Sequence, residues 1–420
     1  MKTFALVDCN NFFVSCERVF NPSIQNRPTL VLSSNDGCAI SRSQEVKDMG
    51  VPMGIPYFKM KNNYDMSKVA IFSTNFKLYR DMSDRVMNII QEFCPEIEVY
   101  SIDEAFIDLS GVSNPQKFCD ELQRKVKQYT GIPVSVGIAP TKTLAKLANR
   151  MAKDNKSVVY QIEKNEQLEK ILRETSVGKI WGIGSNISLS LSKFLVDSAY
   201  DLTKQSDQWI QKNFGIGLLR ISQELKGESC LLMEGEKESR KSIISSRSFG
   251  KTVTDFNILL QSVSHHVANS AQQMREEGSA TRFMSVTIST NRHSKTPQHY
   301  KSESIVLDRP VSDTIELTKI AHKILKSIYE DGFEYKKTGI ALSDFVPIES
   351  CQGLDLFGQK TFDSEKLMES IDSLNLLYGK GTVKLASEGV DKKWAPSNRF
   401  ISGEFTTSWD DIPTVSKYMV

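Results

Sequence analysis

The 420-residue chain has no Cys-x-x-Cys pair; its seven cysteines (Cys9, Cys16, Cys38, Cys94, Cys119, Cys230, Cys351) are scattered. That argues against a zinc site or a disulfide framework and for reduced, mostly buried thiols. No stretch approaches ~20 consecutive apolar residues, and the apolar N-terminal run from Phe4 is cut by Asp8, far short of a signal-peptide core. No membrane association is expected, and a cytoplasmic location is the default. No low-complexity block stands out against ordinary apolar and charged fractions of 40% and 25%, so wholesale disorder is not expected. A large charge surplus is also missing: the formal net charge of +2 is too small to announce a nucleic-acid partner by itself.

What is present begins with length, since single cores stop growing at roughly 250 to 300 residues and several domains are therefore expected. The small net charge also hides an uneven distribution. Between Arg240 and Lys301 the bases (Arg240, Lys241, Arg247, Lys251, Arg275, Arg282, Arg292, Lys295, Lys301) far outnumber the acids Asp255, Glu276 and Glu277. This stretch reads either as a solvated face or as a surface for an anionic partner.

Residues 4–7 and 29–32 are short apolar runs that read as buried strands, and 79–93 carries apolar residues at helical spacing, stopping before Cys94-Pro95. Two apolar, aromatic runs within 98–109 flank the polar centre 101–104, as two strands joined by a tight turn would. A helix at 118–129 and a strand at 134–138 complete the order strand, helix, hairpin, helix, strand, the split pattern of ferredoxin-like domains. Helices are expected at 142–151 and 166–174, followed by two small helical pieces punctuated by Gly-Ile-Gly. A capped helix at 312–329 and a strand at 338–345 close a mixed domain, and the remainder reads as loop-rich with one helix near 365–377.

Asp8 follows an apolar strand and Asp103-Glu104 sit in the hairpin, so three carboxylates from separate segments can converge at one sheet edge. Like charges brought together raise one another's pKa unless a cation offsets them, which a hard divalent ion with oxygen ligands does best. Adjacent strand residues face opposite sides, so Asp103 and Glu104 share a site only if the turn breaks the alternation. The same carboxylates also read as solvated caps or turn formers.

The runs 8–13 (DCNNFF) and 100–108 (YSIDEAFID) resemble the two metal motifs of the Y-family, lesion-bypass DNA polymerases. Residues 34–51, 135–149 and 181–188 are similar to the UmuC branch in particular, and the likeness extends over essentially the whole chain. It implies an α+β right-hand polymerase with a ferredoxin-like palm (1–25 and 77–170), small fingers (26–76), a helix-hairpin-helix thumb (171–238) and an α+β little finger (239–346). A clamp-binding peptide and a tail peculiar to the branch (347–420) would follow. The activity implied is error-prone translesion DNA synthesis in the SOS response, adding deoxynucleotides to a primer 3'-hydroxyl by two-metal phosphoryl transfer.

By the same resemblance, Asp8, Asp103 and Glu104 are the catalytic ligands of two Mg2+ ions, with the Cys9 backbone carbonyl adding an oxygen. Phe13 matches the steric gate, an aromatic ring under the sugar that rejects a ribose 2'-hydroxyl; read without the family it is a core aromatic. Lys47 and Lys153 would bind the triphosphate, although Gln44 and Lys47 replace a tyrosine and an arginine that many members carry, and a lysine offers a point charge without bidentate geometry. Gly182 and Gly184 would let backbone N–H groups meet a DNA phosphate. Gln352, Leu354, Leu356 and Phe357 resemble a sliding-clamp-binding peptide. Implied partners are primer-template DNA, deoxynucleoside triphosphates, the clamp, a cleaved UmuD-type dimer and a recombinase filament. Two other classes stay open at this point, a non-catalytic DNA-binding scaffold and a nucleotidyl cyclase.

Overall fold

A computed structural model describes residues 2–94, 96–155, 157–163, 166–233, 239–351 and 364–414. These fall into two compact units. One holds the residues up to 233, apart from 34–36, together with 400–414; the other holds 34–36 and 239–399.

In the first unit, strand Phe4–Cys9 is the centre of a five-stranded sheet ordered Ile97–Val99, Glu104–Asp108, Phe4–Cys9, Val134–Ala139, Val159–Gln161. It is antiparallel to both neighbours, and only the last pair is parallel. Successive side chains leave a strand on opposite faces. Ala5, Val7 and Cys9 accordingly enter a core roofed by helices Phe76–Phe93 and Pro115–Thr130, while Phe4 and Leu6 enter a second core under helix Lys142–Asp154. With residues 26–76 set aside, the first four strands have the ferredoxin-like order expected from the sequence. The helix expected from residue 79 starts at Phe76, because Asn75 Oδ1 accepts the Leu78 N–H at 3.3 Å and caps it there.

Helix Lys142–Asp154 lies unusually close to the sheet: a Cβ on Gly137 would stand 2.0 Å from the Asn149 backbone nitrogen. Asn149 secures the contact by donating to the Ser135 carbonyl at 2.7 Å. At the helix start, fully buried Glu224 accepts the Thr143 N–H at 3.0 Å, and Thr141 Oγ1 donates to the Glu224 carbonyl at 3.0 Å. A carboxylate at a helix N-terminus is favoured by the helix dipole. Glu224 belongs to Ile216–Leu225, the last of five helices (Glu166–Glu174, Ser185–Ser192, Ala199–Lys204, Asp207–Phe214, Ile216–Leu225) packed about the second core. A small three-stranded sheet, ordered Ala39–Arg42, Thr29–Leu32, Ala70–Ser73, has its own core of Leu30, Leu32, Val46, Val51 and Met60.

The second unit is a four-stranded antiparallel sheet ordered Tyr300–Val311, Ser279–Thr290, Tyr335–Pro347, Ser242–Val253. Helices Phe256–Glu276 and Thr314–Ile328 pack on it around Leu259, Val263, Val286, Leu317 and Leu342. Helix Ser364–Tyr378 and the segment around fully buried Trp394 belong to the same unit. No helix among the described residues is long and apolar enough to cross a membrane.

Candidate active site

Asp8 stands near the end of the central strand on the Phe4–Leu6 face, and the register sets Glu104 directly opposite it. Directly opposed residues of an antiparallel pair share a face, so the two carboxylates face the same way. Helix Lys142–Asp154 covers that face, presenting Lys146, Asn149, Arg150 and Lys153 at i, i+3, i+4 and i+7, one stripe of a helix. Lys153 Nζ lies 2.6 Å from Asp8 Oδ2, and Lys146 Nζ 3.1 Å from Glu104 Oε2. Lys146 also sits 4.5 Å above the Tyr100 ring and 5.2 Å above Trp181, whose indole N–H donates to the Tyr100 hydroxyl at 3.1 Å. Each cation is thus aimed from the helix at one strand carboxylate.

Asp8, Glu104 and the four helix residues, with Leu6, Gln44, Lys47 and Asp154, line an open cleft of about 840 Å³. Four cations (Lys47, Lys146, Arg150, Lys153) face three carboxylates (Asp8, Glu104, Asp154), which leaves the cleft a surplus of positive charge for an anionic ligand. Burial pushes the Asp8 carboxyl up to about 6; Lys153 pulls it down, while Glu104 and Asp103 add to the rise. Burial, then the charges of Lys153 and Arg42, hold the Lys47 ammonium below the usual lysine range. An ammonium crowded by other cations gains when a polyanion arrives.

Residues 7–150 match the impB/mucB/samB family and residues 240–356 that family's C-terminal domain; residues 365–415 match a domain of unknown function. Protein UmuC of Salmonella typhimurium is 40% identical over 97% of this chain and 99% of its own. The chain belongs to the impB/mucB/samB family. DNA polymerase IV of Oceanobacillus iheyensis is a more distant relative, 24% identical over 90% of either chain. A solved Y-family DNA polymerase chimera superposes with a TM-score of 0.68 at 21% identity, covering 82% of this chain and 99% of the chimera. The fold is therefore that of a Y-family polymerase, a mixed α+β right hand.

Within this impB/mucB/samB chain the cleft gathers Asp8, Glu104, Lys47 and Lys153, four of the residues singled out in the sequence. Asp103 sits in the turn ahead of strand Glu104–Asp108. Its carbonyl accepts the Cys9 N–H at 2.9 Å, and its side chain accepts from Ser101 Oγ at 2.7 Å. Among the described residues no three His, Cys, Asp or Glu side chains stand close enough to hold a metal ion as they are. The donor chemistry of Asp8, Asp103, Glu104 and the strand-end carbonyl of Cys9 is nevertheless all oxygen, which fits a hard divalent cation. Two of these carboxylates already hold a cationic partner from the helix.

Phe13 does not line the cleft. It lies in helix Phe12–Phe20, half-buried, stacked on Tyr79 with ring centroids 4.5 Å apart and planes 14° apart. Gly182 has φ +85°, and a Cβ there would meet Ile221 Cδ1 at 2.6 Å; Gly184 is the N-cap of helix Ser185–Ser192, with open space around it. Both glycines lie outside the cleft. Gln352, Leu354, Leu356 and Phe357 fall outside the described residues.

Sequence reasoning missed Lys146, Asn149 and Arg150. The signal was available: the spacing of 146, 149, 150 and 153 puts four polar side chains on one stripe of the helix, separated by apolar Leu147, Ala148, Met151 and Ala152. The basic stretch also needs division. Arg275 is not a surface cation; its guanidinium holds both Asp372 oxygens at 2.8 and 2.9 Å, the Ser312 carbonyl at 2.6 Å and Thr314 Oγ1 at 2.9 Å. Arg240 and Lys301 pair with Glu277 and Glu330. Arg247, Lys251, Arg282, Arg292 and Lys295 are exposed.

Proposed function

We infer that this chain is a DNA-directed DNA polymerase that extends a primer across damaged template, with the cleft at Asp8 and Glu104 as its nucleotidyl-transfer site. The observation that carries the reading is the cleft itself, in which register-paired carboxylates at the end of a ferredoxin-like sheet face a row of fixed cations. Family membership, and relatives bearing the names UmuC and DNA polymerase IV, support the activity. Template and deoxynucleoside triphosphates follow as substrates. The family likeness also supports error-prone synthesis in the SOS response and a cytoplasmic location.

Asp8, Asp103 and Glu104, with the Cys9 carbonyl, are proposed to hold two Mg2+ ions. When bound, the metal lowers the pKa of the primer hydroxyl and neutralises charge developing on the phosphoryl group. Lys153 and Lys146 then exchange their carboxylate contacts for the triphosphate, Lys47 adds a third cation, and the Asp8 carboxyl is held ionised by the added positive charge. Lysines positioned without bidentate geometry neutralise the polyphosphate without fixing its rotation. Phe13 is proposed as the sugar gate, Gly182 and Gly184 as backbone donors to a DNA phosphate, and the exposed cations of the second unit as sequence-independent backbone contacts. The sliding clamp, met through Gln352, Leu354, Leu356 and Phe357, and a UmuD-type dimer with a recombinase filament are the proposed partners.

The test is primer extension on a gapped template with an abasic site, with Mg2+ and deoxynucleotides. Wild type is compared with Asp103→Ala/Glu104→Ala, each with and without the UmuD-type dimer and activated recombinase. Extension past the lesion by wild type alone, abolished by EDTA, is the expected result. If neither protein extends under any partner condition while salt-sensitive DNA binding persists in both, the chain is a scaffold instead.

A further inference from the structure

One face of helix Phe12–Phe20 carries Phe13, Glu17 and Phe20 at i, i+4 and i+7. Each meets a different partner. Phe13 stacks on Tyr79, and Phe76 meets its ring edge-on at 6.0 Å. Glu17, 1% exposed, accepts the Tyr79 hydroxyl at 2.6 Å and the Ser402 hydroxyl at 3.0 Å on the same oxygen, Oε1. Phe20 stacks on Phe405 with centroids 5.0 Å apart.

The far end of the chain thus runs along this helix, and it is pinned at several points. Phe400 N–H donates to Ser73 Oγ, and the Ser73 N–H to the Phe400 carbonyl, both at 2.9 Å. Asn75, already the cap of helix Phe76–Phe93, donates through Nδ2 to Ser402 Oγ and to the Gly403 carbonyl at 3.1 Å each. Lys77 pairs with Glu404 at 2.7 Å. The cap that starts the Tyr79 helix and the hydroxyl that completes the Glu17 site therefore converge on residue 402.

We propose that residues 400–405 form part of the sugar-selecting apparatus. Ser402 orients Glu17, Glu17 fixes the Tyr79 hydroxyl, and the Tyr79 ring sets the plane of the gate ring Phe13. Ser402, Glu17 and Tyr79 are then positioning residues, and choice of sugar depends on a contact spanning 385 positions of sequence. Both hydroxyls converge on the one buried oxygen Oε1, which gives the network its rigidity, because rotating Glu17 away would leave the Tyr79 and Ser402 hydroxyls without their shared acceptor. The proposal rests on Phe13 acting as the gate.

The test compares kcat/KM for dATP and ATP on an undamaged template, using the full-length chain in whichever partner mixture sustains extension. Phe13→Ala reports on the gate; Ser402→Ala and Tyr79→Phe each remove one hydroxyl from the network, and Ser402→Thr restores one. The gate variant is expected to lose roughly a hundredfold of dATP preference. The two hydroxyl deletions each lose about threefold to tenfold, the worth of one buried hydrogen bond, with little change in dATP turnover, and Ser402→Thr keeps the wild-type ratio. If Phe13→Ala opens the gate while Ser402→Ala and Tyr79→Phe leave the ratio unchanged, or lower both rates equally, the positioning role is wrong and the gate stands. An unchanged ratio in Phe13→Ala removes the gate and the proposal together.

Discussion

Two ionic centres in this chain use the same chemical groups to opposite ends. In the cleft, Lys153 is 38% exposed at the side chain and, among the described residues, makes one ion-pair contact, with Asp8. In the second unit Arg275 is 11% exposed and divides its guanidinium among Asp372, Ser312 and Thr314. A lysine with one partner and access to solvent can exchange that partner for a phosphate at small cost. A forked guanidinium held by four hydrogen bonds cannot, so it serves to fasten helix Ser364–Tyr378 beside helix Phe256–Glu276. Sequence charge alone does not separate a ligand-binding cation from a structural one; the number of partners does.

Substitutions in each centre break the comparison if they give the wrong phenotype. Asp8→Ala or Glu104→Ala is expected to lower primer extension by at least about 10³-fold with thermal unfolding little changed, measured by single-turnover kinetics and calorimetry. Arg275→Ala should do the reverse. It leaves Asp372 half-buried without its cation, which costs about 3 kcal/mol in denaturant unfolding while extension by the folded fraction persists. Smaller effects fall on exposed cations: Arg247→Ala and Lys251→Ala should each reduce the slope of log K against log salt for DNA binding by about 1, whatever the template sequence. Arg275→Lys, if it binds DNA with the wild-type salt slope, would sharpen the distinction further.

Glu17 supplies a third case, a carboxyl group with hydroxyl partners and no cation beside it among the described residues. Burial raises it to about 7 from an ordinary 4.5, against the hydrogen bonds of Tyr79 and Ser402, which pull it down. The folded state therefore binds this proton more tightly than the unfolded chain does. Its contribution to stability is complete below about pH 4.5 and is lost as pH rises through about 7. Glu17→Gln should flatten the dependence of Tm on pH across that window, and an unchanged slope would place the proton elsewhere.

Much of the first unit was legible because its elements carry strong periodic signals. The apolar runs of the buried strands and the helical spacing at 79–93 and 118–129 led to Phe4–Cys9, Thr29–Leu32, Phe76–Phe93 and Pro115–Thr130. In sequence the second unit reads as a basic stretch closed by one helix and one strand. Strands Ser242–Val253, Ser279–Thr290 and Tyr300–Val311 are hard to see in sequence because polar outward positions are mixed with exposed Ile244, Tyr300, Ile305 and Val306, which blurs the apolar–polar alternation. The tail was harder still. Trp394 and Trp409 look alike in sequence, yet one is fully buried beside His265 and the other 89% exposed. In the cleft, Asp8 after its strand and Glu104 in its hairpin could be singled out, with the family motifs giving their role, but the lysine each would face depends on how closely the covering helix approaches the sheet, which no local pattern encodes.

That approach is set by Gly137, where the helix backbone leaves no room for even one carbon. A methyl group there would have to lift Asn149 and Ala145, and with them the whole row from Lys146 to Lys153. A genetic screen for lost activity should therefore return Gly137→Ala among its strongest alleles. Such a map of function would mark as essential a position that has no side chain and touches no substrate.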